Sequence, residues 1–249
     1  MIGILRAAAV VVSALAVVGA ANSANAAVVQ RGKQVVVVAL SPSDGQTVGI
    51  GAPVTVQFSG PVLDRQAAQE RVTIDAGVAV PGRFVWPSAN VLAWEPRAFW
   101  PAHTPVTVTA DTLSTTFEVG AAIISVADID AHTFSVSIDG QVAREMPASL
   151  GKPGFDTPVG SFAVLEKQRR VTFDSRTIGI PLDDKEGYLI QGEYGVRVTW
   201  GGVYVHSAPW SVASQGKTNV SHGCINLSPD NAAWYFDTIR IGDPVIVQR

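Results

Sequence analysis

Among its 249 residues the chain has a single cysteine, two methionines and four histidines. One thiol cannot close an internal disulfide, so packing and hydrogen bonds must hold the fold. Charge is scarce as well: Asp, Glu, Lys and Arg make up 16%, and the formal net charge is only -3. That mild acidity argues against nucleic acid or an anionic membrane as the main partner. No internal repeat stands out, and past the first two dozen residues there is no low-complexity tract. A Cys-x-x-Cys pair, the usual seed of a structural zinc site, is missing. So is the Gly-x-Ser-x-Gly elbow of serine hydrolases.

Long apolar runs are absent with one exception, residues 7–21, broken only by Ser13 and Gly19. Arg6 precedes the run and Ala24-Asn25-Ala26 follows it, the layout of a secretory signal peptide with a small-x-small cleavage site. The run is short for a membrane span, which takes about 20 apolar residues. No cysteine follows it to carry a lipid. The expectation is a leader over residues 1–26, either cleaved or kept as an anchor, and export to the periplasm or cell wall. In an oxidising compartment an unpaired cysteine is a mispairing hazard, and its retention calls for a reason.

What remains is long enough for two modest domains. Residues 27–120 alternate in short β stretches (34–40, 53–59, 71–75, 83–86, 91–94, 105–110 and 115–119) separated by Gly, Pro, Ser and Asp turns. About seven strands at this spacing predict an immunoglobulin-like β-sandwich. Residues 65–70 give a helical hint too short to weigh. Trp86, Trp94 and Trp100 are expected in the core and at corners, and His103 in a surface loop. Gly120 to Ala122 forms a short junction. Residues 121–249 are strand-rich again: 122–127, 133–138, 142–147, 162–165, 171–173, 196–200 and 203–206, with His132 read as structural. A polar excursion at 175–194 reads as a plain surface hairpin, with a loop closing over an active site as the alternative. One helix is predicted over 229–240, with Ser228 as N-cap, Pro229 first and an apolar face through Ala233, Trp234 and Phe236. The fold class is therefore mainly β, a sandwich followed by a second β domain with one C-terminal helix.

The chemistry concentrates in one stretch. His206 is followed by fourteen residues and then Ser221-His222-Gly223-Cys224-Ile225-Asn226. Free cysteine has a pKa of about 8.5, and a neighbouring imidazole that takes the proton supplies the nucleophile. If residues 222–224 are extended, His222 and Cys224 share a face. The Ser221 carbonyl or a nearby group would then orient the ring, and the amides of Gly223 and Cys224 would form an oxyanion hole. Zinc fits less well, since only His206, His222 and Cys224 lie close in sequence. A papain-like arrangement places its histidine far downstream of the cysteine, and here both come first.

This signature resembles that of the L,D-transpeptidases, bacterial envelope enzymes that cross-link peptidoglycan. The likeness extends over Thr157-Pro158-Val159-Gly160-Ser161-Phe162, the Tyr188 region and His206-Ser207-Ala208-Pro209-Trp210. The whole chain is similar to mycobacterial-type members with one immunoglobulin-like domain. The resemblance implies a β-sandwich-like L,D-transpeptidase domain and no cofactor or metal. Cys224 would attack the carbonyl of the third stem-peptide residue, release D-alanine, and pass the acyl group from a thioester to the amine of a second stem. It further implies His222 as base oriented by the Ser221 backbone, with Gly223 and Cys224 amides on the oxyanion. Tyr188, in a lid, and His206, Ser207, Trp210 and Asn226 would line the substrate site, and carbapenems would acylate the thiol. Two alternatives stay open: an L,D-carboxypeptidase that uses water as acceptor, and a non-catalytic wall-binding module.

Overall fold

The structure is a computed structural model that describes residues 35–249. The expected leader lies outside the described residues. Two four-stranded sheets make the first half. One has the order β1 (Val37–Ser41), β3 (Val54–Phe58), β6 (Val91–Pro96), β5 (Gly82–Ser88). The other runs β2 (Thr47–Val48), β8 (Leu113–Val119), β7 (Thr104–Ala110), β4 (Val72–Asp75). Period-two alternation sets the inner faces: Val54, Val56 and Phe58 are buried on β3, and Val106, Val108 and Ala110 on β7. Residues of both sheets meet in one core, where Trp94 and Trp100 lie 4.8 Å apart and Trp100 meets Phe117 edge-on. The sequence pattern misses only β2, whose two residues are too few to show alternation. The helical hint is a real turn, α1 (Arg65–Glu70), because Asp64 caps it by accepting from the Ala67 amide at 3.0 Å.

β8 ends at Val119 and β9 (Ile123–Asp128) begins the second half. The halves are stitched by backbone bonds from Gly49 N–H to Ile241 O and from Gly51 N–H to Gly242 O, both 2.8 Å. Such closeness needs glycine: a Cβ on Gly49 would sit 2.1 Å from the Asp243 amide nitrogen. Asp243 is fully buried at this seam. One carboxylate oxygen accepts from the Arg240 amide at 2.8 Å and the other has no partner. Burial pushes its pKa up to about 6, against the opposing pull of Arg240.

The second half holds a five-stranded sheet, β11 (Gln141–Pro147), β10 (Thr133–Ile138), β9, β17 (Pro244–Gln248), β12 (Gly160–Ala163). Facing it is a four-stranded sheet: β13 (Glu166–Asp174), β14 (Leu189–Arg197), β15 (Tyr204–Ser207), β16 (Ile225–Leu227). β13 and β14 depart from expectation. Strand pairing fills 189–197, where the loop was expected to last to residue 194, and residues 198–200 turn instead of extending. The reason is that this hairpin is held by polar cross-strand pairs, which leave no apolar period to read. Arg197 donates to Glu166 at 2.9 Å, and the Arg169 guanidinium lies 3.7 Å from the Tyr194 ring centre.

The predicted helix is present as α2 (Pro229–Thr238), with a different buried face. Ala232 and Tyr235 point inward, followed by Ile239 just past the helix end, whereas Trp234 and Phe236 are half-buried. Tyr235 sits edge-on to Phe134 at 4.9 Å and accepts from Ser125 Oγ at 3.2 Å. Ser228 occupies the N-cap position without a side-chain capping bond.

Candidate active site

β15 and β16 pair in parallel, in the register Val205↔Ile225, His206↔Asn226 and Ser207↔Leu227. Parallel neighbours need a long crossover. The residues between the two histidines supply it, through a 3-10 turn at Pro209–Ser211. Val205, Ile225 and Leu227 enter the hydrophobic core. Alternation therefore turns His206 and Asn226 to the opposite face, with Cys224 one step before β16 on the same side. There they line a cleft of about 260 Å³ together with Tyr188, Trp210 and His222.

Cys224 is half-buried, and its Sγ lies 3.6 Å from the Gly202 carbonyl oxygen. Protein packed around the sulfur pushes the thiol pKa up, to about 11, opposed by the Tyr204 backbone amide that faces it. His206 is buried, and its Nδ1 lies 2.8 Å from the Ser207 carbonyl oxygen. A carbonyl can only accept, so Nδ1 carries the proton and Nε2 keeps its lone pair. Burial lowers this imidazole's pKa to about 4, so the ring is neutral at physiological pH. Phe173 (ring centres 4.3 Å apart) and Trp210 (5.9 Å) flank it.

The turn before Cys224 corrects three expectations. Residues 222–224 are not a strand: Gly223 has φ +114°, so alternation does not bring His222 across from the thiol. The Ser221 carbonyl accepts from the Lys152 amide at 3.0 Å and is not bonded to His222. Ser221 Oγ locks the turn, donating to the Cys224 carbonyl at 2.6 Å and accepting from the Gly223 amide at 3.1 Å. The Gly223 N–H is thereby already engaged and is not a free oxyanion donor. Ser207, expected on the substrate wall, is buried on the core-facing side of β15, and its contribution is the carbonyl that orients His206.

His222 faces the loop 175–188. Its Nε2 donates to Glu186 Oε2 at 2.9 Å, and its ring lies between Phe155 (4.6 Å) and Tyr188 (5.0 Å). Asn226 Nδ2 donates to Ser211 Oγ at 3.1 Å, while its Oδ1 is buried with no partner. Among the described residues no group of three His, Cys, Asp or Glu side chains could hold a metal ion.

Comparison with known proteins gives the family. A model of the L,D-transpeptidase catalytic domain matches residues 122–247, and one of a bacterial Ig domain matches residues 10–115. The chain is 56% identical to L,D-transpeptidase 1 of Mycobacterium tuberculosis over 85% of its length and 84% of that protein's. The chain belongs to the L,D-transpeptidase family.

Solved relatives extend the likeness. An L,D-transpeptidase from Mycobacterium smegmatis superposes with a TM-score of 0.81 at 56% identity, over 87% of this chain and 100% of that one. A structure of the transpeptidase LdtMt1 in complex with imipenem gives 0.81 at 56% identity, over 85% and 98% of the two chains. L,D-transpeptidase 3 of Mycobacterium tuberculosis with a faropenem-derived adduct gives 0.79 at 45% identity, over 86% and 98%. Within this L,D-transpeptidase the cleft gathers Cys224, His206, His222, Ser221, Asn226, Tyr188 and Trp210, all singled out in the sequence. Sequence reasoning missed Glu186 on the cleft wall, Lys152 and Phe155 behind His222, and the Tyr204 amide. Apart from the polar cluster 183–187, none of these carries a local signal.

Proposed function

We propose that this L,D-transpeptidase is an exported enzyme that joins peptidoglycan stem peptides through a thioester on Cys224, with His206 as general base. The observation that carries the base assignment is the 2.8 Å contact between His206 Nδ1 and the Ser207 carbonyl. It fixes the tautomer and leaves Nε2 as acceptor on the cleft face that also holds the thiol. His222 remains beside the site as a wall residue.

In the first step the sulfur attacks the carbonyl carbon of the third stem residue as its proton passes to His206 Nε2. The developing oxyanion is met by the backbone amides of Cys224 and Tyr204. The C–N bond to the terminal D-alanine then breaks, and the imidazolium returns the proton to the leaving amine. In the second step the side-chain amine of another stem attacks the thioester, the C–S bond breaks, and the amine's proton passes by way of His206 to the sulfur. Asn226 Oδ1, buried and unpaired, is the natural acceptor for a substrate N–H. A carbapenem would enter by the same attack on its strained carbonyl, consistent with the imipenem complex of a relative.

The test is intact-mass measurement after incubation with imipenem, and product analysis with a stem tetrapeptide with and without an amine acceptor. One adduct on the wild type, none on Cys224→Ala, and a cross-linked product are expected. A tripeptide formed whether or not the amine is present would replace transpeptidation by L,D-carboxypeptidase activity. An unmodified wild-type mass would leave only a wall-binding module.

A further inference from the structure

A chain of polar contacts outside the reaction just described joins three separate segments at His222. Glu186 Oε2 lies 2.5 Å from Lys152 Nζ and 2.9 Å from His222 Nε2, so a single carboxylate oxygen bridges both. Lys152 belongs to the loop after β11, Glu186 to the loop over the cleft, and His222 to the turn that carries Cys224. All three side chains are largely covered, with 27%, 29% and 19% of their surfaces exposed. Aromatic rings close the cluster: Lys152 Nζ is 5.3 Å from the Phe155 ring centre, and Phe155 and Tyr188 flank the imidazole.

The loop over the cleft is otherwise bonded mainly to itself. Its base is tied by Ser175 N–H to Tyr188 O (2.9 Å) and Tyr188 N–H to Ser175 Oγ (3.0 Å). Its tip is tied by Gly187 N–H to Asp184 O (2.8 Å) and Glu186 N–H to Asp184 Oδ1 (2.9 Å). These bonds shape the loop without fastening it to the cleft. The Glu186 carboxylate is what reaches across to the cysteine-bearing turn.

We propose that Glu186 is a positioning residue that latches the loop 175–188 onto His222 and Lys152, and that the latch keeps water from the thioester until the amine acceptor arrives. This rests on the acyl-enzyme reading above. With the latch open, water adds to the thioester carbonyl, the C–S bond breaks, a carboxylic acid leaves and the sulfur regains a proton. The balance between cross-linking and hydrolysis is thereby a property of the loop as well as of the nucleophile.

The experiment has two readouts on the full chain: hydrogen exchange of the Glu186 and Gly187 amides in the ligand-free protein, and the hydrolysed share of product from a stem tetrapeptide with an amine acceptor present. Glu186→Ala and Lys152→Met are each expected to speed exchange about tenfold, the loss of roughly one charge-assisted hydrogen bond. The hydrolysed share should rise with it, while Lys152→Arg, which keeps the cation, matches the wild type in both. Unchanged exchange in both disrupting variants, at an unchanged melting temperature, overturns the latch. Faster exchange with an unchanged hydrolysed share overturns its role in excluding water. If instead the wild type forms no imipenem adduct while exchange still responds, the acyl-enzyme reading fails and the contact stands as structural.

Discussion

At the scale of single residues, the proposed nucleophile and the proposed base are both held neutral. Burial raises the Cys224 thiol to about 11 and lowers the His206 imidazole to about 4. A thiol with a raised pKa stays protonated above the ordinary cysteine value, and an imidazole with a lowered one stays neutral below the ordinary histidine value. The competent pair, SH beside neutral ring, therefore spans the interval between those two values. On the proposed mechanism, proton transfer would then accompany attack and not precede it as a stored thiolate-imidazolium pair. Titration by thiolate ultraviolet absorbance should show no step from Cys224 between about pH 6 and about pH 9. A step near the free-cysteine value, absent in Cys224→Ser, would contradict this. The two histidines should also separate. His206→Gln is expected to slow imipenem acylation by about 10² to 10⁴, the usual worth of a general base. His222→Gln should cost no more than about tenfold, since its Nε2 serves the loop contact. Acylation rates from intact-mass time courses decide the order, and the reverse order would return the base role to His222.

At the scale of elements, the site depends on a parallel strand pair and the sharp turn feeding it. The core needs Val205, Ile225 and Leu227 on one face, which forces His206, Asn226 and Cys224 onto the other. The turn at 221–224 delivers the thiol only because Gly223 takes φ +114°, a conformation costly for any residue with a Cβ. Space is not the obstacle, for a Cβ there would meet only the Phe155 and Asp156 carbonyl oxygens at 3.7 and 3.9 Å. Gly223→Ala should therefore cost about 2 kcal/mol of conformational strain. Because relaxation of the turn would displace Cys224, acylation should fall by more than about tenfold. Chemical denaturation and adduct formation measure the two effects. Full activity in this variant would show that the turn tolerates another conformation.

At the scale of the whole molecule, the two halves are clamped at Gly49, Gly51 and Gly242, with Asp243 buried in the seam. Asp243 ionises at about 6 when folded and at about 3.9 when unfolded. The folded state thus binds the extra proton between those values. Stability from this group is present below about pH 4, is lost as pH rises towards about 6, and stays lost above that, a change of about 2 to 3 kcal/mol. The carboxylates with lowered pKa values, Asp128, Asp139, Glu166, Asp174 and Glu186, act in the opposite sense at lower pH. A difference curve isolates the seam: the gap in unfolding free energy between wild type and Asp243→Asn should move in favour of the variant as pH rises from about 4 to about 7. A pH-independent gap would mean that the seam admits enough water to hydrate the charge.

Much of this was legible along the chain. Strands with one wet and one dry face announced themselves through alternation, as β3 and β7 did, and the lone cysteine beside a histidine signalled nucleophilic chemistry. Both signals are local, because side-chain period and sequence spacing are properties of neighbouring residues. The β13–β14 hairpin escaped because polar pairs hold it, and His222 was read as the base because the reading assumed an extended segment at Gly223. Whether a ring meets the carbonyl of the next residue or a carboxylate thirty-six positions back depends on a crossover and a positive φ. The amino-acid order fixed which groups were available. Only the folded chain, by bringing distant segments into contact, decided that one imidazole is held by the Ser207 carbonyl and the other by Glu186.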